Sequence, residues 1–145
     1  MSSTGTLLRL TADTITDFGL ERDQLANPAT GALSLEAAVY RAVTGTTPNA
    51  FTDPTATQYA DVLITTNTTV MEVIAWISVV LPTEPPGDSA SGGDDHLEHL
   101  RTWTTENDFF TGVLPTPAEV TGILLRAAQT ADNLTDVPTP RPAAA

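Results

Sequence analysis

Val70 to Leu81 constrains this chain more than any other segment. Its twelve residues are apolar apart from Glu72 and Ser78. A helix with so little polar face has to be surrounded by the rest of the protein. A bilayer-spanning helix needs about 20 apolar residues, so the stretch reads as a core element and not as a membrane span. Its β-branched residues, Val70, Val73, Ile74, Ile77, Val79 and Val80, would also suit a buried strand. Two features favour a helix. Thr69-Val70-Met71-Glu72 has the capping-box pattern, and no second strand-like segment exists to pair with it. Pro82 ends the element. The expected fold is therefore all-α: a single domain of five helices, or six if the third divides, packed around 70–81.

The remaining segments supply the surrounding layer. Leu8, Ala12, Ile15 and Phe18 recur at helical spacing over Thr4 to Phe18, and Gly19 stands where a left-handed cap is wanted. Ser34 caps a second helix with Leu35, Ala38, Val39 and Ala42 on one face and Glu36 in its first turn, where a carboxylate suits the helix dipole. Gly45 closes it. Asp53-Pro54 starts a third helix with the stripe Ala56, Tyr59, Ala60, Leu63 and Ile64, and the run Thr65 to Thr69 should break it. Residues 82–95 are Pro, Gly, Ser or Asp at 11 of 14 positions, too few apolar groups to bury anything, so a flexible acidic insertion is expected there. A short helix follows over His96 to Thr105, capped by Asp94 or Asp95, with Leu97, Leu100 and Trp103 or Thr104 inward. Thr116-Pro117-Ala118-Glu119 opens the last helix, whose stripe is Val120, Leu124, Ala127 and Ala131. The domain is expected to span 1–132, with 133–145 a loose tail.

Charge narrows the function classes. Six basic residues, all Arg, face 18 acidic ones, for a formal charge of −12 over 145 residues. Such a chain lacks the basic footprint of a direct nucleic-acid binder and is repelled by anionic lipid. Cys is absent, which removes disulfides, thiol catalysis and Cys-based zinc sites. Without Lys there is no P-loop. The N-terminus lacks the apolar stretch of a secretory signal, so a cytoplasmic location is expected.

Three segments, LLRLTADTITDFGL (7–20), GALSLEAAVYRAVTG (31–45) and TPAEVTGILLRAA (116–128), resemble a family of small, uncharacterised actinobacterial proteins. In that family a Trp followed by Asn-Asp precedes the last helix. Trp103 and Asn107-Asp108 occupy that place here, but Thr104-Thr105-Glu106 separate them, and 82–95 reads as an insertion. The resemblance implies a compact helical fold and an actinobacterial or phage source, such as a phage or mobile-element accessory protein. It transfers no catalytic residue and no cofactor.

Three groups of residues are candidates for function. His96 and His99, one helical turn apart, could hold a divalent metal with a nearby carboxylate. The alternative is a capped, solvated helix start, in which case changing both to Ala leaves stability within about 1 kcal/mol. No Ser or Thr stands near either His in a recognised catalytic spacing. Trp103, Asn107 and Asp108 form a second candidate, a polar loop site beside Phe109 and Phe110, whose aromatic rings are better suited to pinning the loop to the core. The third is an acidic patch of Glu84, Asp88, Asp94, Asp95 and Glu98, five acids within fifteen residues and no Arg among them. It suits a non-enzymatic interaction or accessory protein that binds a basic protein surface. Two alternatives stand beside that reading. One is an acidic inhibitor that occupies a partner's nucleic-acid-binding site. The other is a small metal-dependent hydrolase using His96 and His99.

Overall fold

Local capping sets most of the helix boundaries. The computed structural model describes residues 3–83, 85–87, 93, 95–105 and 113–136, and these form six α-helices with no β-strand among the described residues. Helix α1 spans Ser3–Phe18 and ends at Gly19, whose φ of 93° is the left-handed conformation that a Cβ would strain. Helix α2, Leu35–Thr44, begins where the Ser34 hydroxyl accepts the Ala37 N–H and ends at Gly45 with φ 83°. Between α1 and α2 the chain folds into a loop stitched by isolated bridges from Leu33 to Leu20 and Ala26.

Asp53-Pro54 does start an element, but first a 3-10 turn, Pro54–Ala56, preceded by another at Asn49–Thr52. Helix α3 then runs Thr57–Thr65. The expected break follows, and the chain turns by 85° into α4, Thr68–Val80. The cap of α4 is Asn67, whose side chain accepts the Val70 N–H at 3.1 Å, and not the Thr69 capping box. Asn is as good a cap as Thr, and the two Thr residues after it sit in the first turn, where their low propensity costs least. Helix α5 spans His96–Thr105, capped by Asp95, which accepts the Glu98 N–H. Helix α6, Pro117–Asp136, opens on Thr116, which accepts the Glu119 N–H, and extends four residues past the 132 boundary expected from sequence.

Helix α4 touches all five other helices, as its composition demands. Val70, Val73, Ile74, Ile77 and Ser78 form its buried side. Its other side is wetter than the apolar run suggests: Glu72 is exposed, Val79 is 63% exposed and Trp76 is half-buried against the core. The third-helix stripe also thins out, since α3 buries only Ala60 and Ile64 and leaves Tyr59 60% exposed. A nine-residue helix turned by 85° from its neighbour can lay only one turn's worth of side chains on the core. Phe18, expected inward, is 40% exposed because it lies at the end of α1, where the Arg41 guanidinium covers its ring at 4.7 Å.

Helices α1 and α6 pack closely along each other. A Cβ on Gly5 would collide with the Asp132 carboxylate, so glycine permits the approach, and Arg9 donates to Asp132 Oδ2 at 2.7 Å across it. No single helix among the described residues is long and apolar enough to cross a membrane.

The two sides of α4 should separate in a stability measurement. Ile74→Ala removes a fully buried side chain and is expected to cost about 2–5 kcal/mol. Val79→Ala should stay within about 0.5 kcal/mol in the same urea titration. Equal losses at both positions would mean that α4 is rotated from the orientation described.

Candidate functional site

Two clusters of polar groups have defined geometry. The first is a cleft of about 370 Å³ between the 21–34 loop, the two 3-10 turns, α3 and α5. Its floor includes Leu25, Ala50 and Phe51, and its walls carry Glu21, Asp23, Glu36, Asp53 and Asp61 against Arg22 and Arg101.

Arg101 organises this cleft. It reaches from the middle of α5, its Nε donating to Glu36 Oε2 on α2 and its Nη2 to Asp61 Oδ1 on α3, each at 2.7 Å. Burial by itself would lower the guanidinium's affinity for its proton. The Glu36 charge and hydrogen bonds to Asp61 and Glu36 outweigh that and hold Arg101 above its ordinary value. Glu36 is 4% exposed. Besides its place in the first turn of α2, where it suits the helix dipole, it is a buried carboxylate tied to a helix 65 residues away. Arg22 donates to the Thr104 carbonyl at 2.8 Å and to the Pro115 carbonyl, fixing the loop to both ends of the 104–115 connection.

The rim carboxylates are held by local hydrogen bonds. Glu21 accepts the Asp23 N–H, the Asn27 amide and the Arg22 N–H, and these, Asp23 foremost, keep its carboxyl below the usual range. Asp53 accepts both the hydroxyl and the N–H of Thr55, which lowers it likewise. The ion pairs and caps thus give the cleft a fixed anionic wall over an apolar floor. That combination suits a side chain with an aliphatic stem and a cationic head.

The second cluster joins α4 to α5. Ser78 Oγ lies 2.7 Å from His99 Nδ1 and 2.7 Å from His96 Nδ1, and His99 Nε2 lies 2.8 Å from Thr83 Oγ1. The reading of both histidines as a solvated helix start is corrected here, since His99 is 2% and Ser78 1% exposed. Hydroxyls do come to the imidazoles, although no sequence spacing announced them. Ser78 nevertheless faces the core, and the cleft does not reach it. Hydroxyls occupy both ring nitrogens of His99. No group of three His, Asp or Glu among the described residues is arranged to hold a metal ion.

The remaining sequence candidates divide. Of the acidic patch, Asp95 and Glu98 stand together at the start of α5, Asp95 as its cap and Glu98 exposed. Glu84, Asp88 and Asp94 lie outside the described residues, as do Asn107 and Asp108. Trp103 is half-buried against the core. Sequence reasoning missed Arg22, Arg101, Glu36 and Asp61 as a group. Comparison of the chain with protein-family models, curated proteins and solved structures returned no match.

Arg101→Met strips two carboxylates of their cation and is expected to cost about 2–3 kcal/mol, less than a fully buried pair because Asp61 is partly solvated. Adding Glu36→Gln should recover part of the loss, and a single-variant loss below about 1 kcal/mol would show that water already satisfies Glu36. His99→Ala is expected to cost about 2–4 kcal/mol from its cavity and two abandoned hydroxyls, with His96→Ala costing clearly less. If both cost the same small amount, the buried placement of His99 is wrong.

Proposed function

We propose that the protein is a non-enzymatic, cytoplasmic interaction module whose partner presents a basic surface, with the cleft receiving one basic side chain. One observation carries this reading: of the five described arginines four are engaged within the fold and Arg126 is exposed, while many carboxylates face outward. Arg9 is spent on Asp132, Arg22 on two carbonyls, Arg41 on Phe18 and Thr47, and Arg101 on Glu36 and Asp61. Asp13, Asp17, Asp23, Asp53, Glu72, Glu98 and Glu119 are exposed. The paired arginines cancel the few acids they bind and leave the surface acids in excess, so the outer field is negative and steers a basic partner inward. In the cleft, Asp23 and Asp53 at the rim and Asp61 on α3 would meet the cationic head, with Phe51 and Leu25 beneath its stem.

The experiment is a kinetic one on a partner captured from the source organism. Association should slow as salt rises, with dissociation changing less. Asp23→Asn together with Asp53→Asn should lower the on-rate several-fold and flatten its salt dependence, since rim charges act mainly on encounter. A parallel variant neutralising Glu84, Asp88, Asp94, Asp95 and Glu98 tells whether the patch before α5 shares the steering. An on-rate indifferent to salt and to both variants would defeat the reading. Loss of the partner's nucleic-acid binding in the complex would narrow it to an inhibitor.

A further inference from the structure

A second cleft, of about 280 Å³, adjoins the first. Thr52 lines both, and Leu33 on this side is followed in the chain by Ser34 on the other. Its character is reversed. Among the described residues five carboxylates line the first cleft and none lines the second. Leu33, 3% exposed, gives it an apolar floor, Phe18 and Pro28 stand exposed beside it, and Arg41 is its charged lining residue.

Arg41 differs from the other engaged arginines. Arg9 and Arg101 hold carboxylates, and Arg22 holds two carbonyls. Arg41 Nη1 donates to Thr47 Oγ1 at 3.1 Å, and the guanidinium covers the Phe18 ring at 4.7 Å. Neither partner carries a negative charge. A guanidinium has five N–H donors in a planar fork, and a hydroxyl that accepts from it still has its own proton to give. The last turn of α2 suits a cation through the helix dipole, which accounts for the charge. It leaves the rest of the fork at a cleft without acids, where its geometry matches a carboxylate.

A free acid is poorly placed to reach that fork, because a chain carrying −12 repels anions at long range. A carboxylate carried by a basic partner is brought in by the same field. We propose that Arg41 and Thr47 bind a carboxylate side chain of the partner, a few residues from the basic side chain that enters the first cleft. The inference rests on the reading of the first cleft as the seat of a basic side chain, and it names the feature recognised: a basic residue with an acidic neighbour. A uniformly basic surface would set a cation against Arg41 and be rejected there.

The test is an NMR titration of the whole protein with acetylated, amidated peptides in which Arg and Glu are separated by one to about three glycines. Matched peptides carry Gln in place of Glu. At the best spacing the Glu peptide should bind about tenfold tighter than its Gln match, the gain from one charge-assisted contact. The amides of Gly31 and Thr47, which line the second cleft, should shift with the Glu peptide only. In Arg41→Gln the preference should vanish while the Gln peptide binds as before. Asp23→Asn with Asp53→Asn should weaken both peptides and keep their ratio. Equal affinities at every spacing, or a preference that survives Arg41→Gln, would overturn the second contact and leave the reading of the first cleft standing. Isovalerate binding as tightly as the best Glu peptide would overturn it too, since the carboxylate would then need no basic neighbour. Failure of every Arg-bearing peptide to bind would overturn both readings. If Arg41→Gln does not fold, the wild-type shifts decide: Gly31 and Thr47 responding alike to Glu and Gln peptides would refute the contact.

Discussion

A buried carboxylate has to bring its counter-charge with it, and Glu36 is such a carboxylate. Its partner, Arg101, is contributed by α5, and the same guanidinium takes Asp61 from α3. Three helices are thereby indexed to a single side chain. Apolar packing brings α2, α4 and α5 together but is tolerant of sliding; a two-pronged ion pair at 2.7 Å on each prong is not. The cleft exists because these helices stop where Arg101 holds them, leaving Phe51 and Leu25 as floor between the loop and α3.

The cluster of Ser78, His96 and His99 acts at the other side of α5 and completes its attachment. Arg101 secures the helix toward α2 and α3, and the imidazoles secure it toward α4 through Ser78. Helix α5 buries only Leu97, His99, Leu100 and Thr104, so apolar area alone holds it weakly compared with α6. Its position rests on polar geometry to an unusual degree, which makes it the element most responsive to charge.

What could be read from the sequence was local. Ser34, Gly19, Gly45 and Thr116 announce helix ends because a cap involves residues three or four apart. The stripe of α6 was legible for the same reason, and its Val120, Leu124, Ala127 and Ala131 are fully buried. The Thr69 capping box misled because Asn67, two residues earlier, caps equally well. The clusters were hidden by distance along the chain: Arg101 lies 65 residues from Glu36 and 40 from Asp61. One signal was nonetheless available. Ser78 falls on the buried stripe defined by Val70, Ile74 and Ile77, and a hydroxyl on such a stripe requires a polar partner from another element. The two histidines of α5 supply that partner.

The pairing of α1 with α6 has a consequence for synthesis on the ribosome. Arg9 and Asp132 meet across 123 residues, with Gly5 pressed under the same carboxylate. As α1 emerges, its Leu8, Ala12 and Ile15 have α2 within reach, but the larger part of the helix's cover comes from α6, far along the chain. The nascent chain therefore carries an unsheltered apolar stripe through most of elongation, and the domain closes only once α6 has cleared the exit tunnel. The arrangement makes α1 a natural stretch for chaperone capture until α6 is available to cover it.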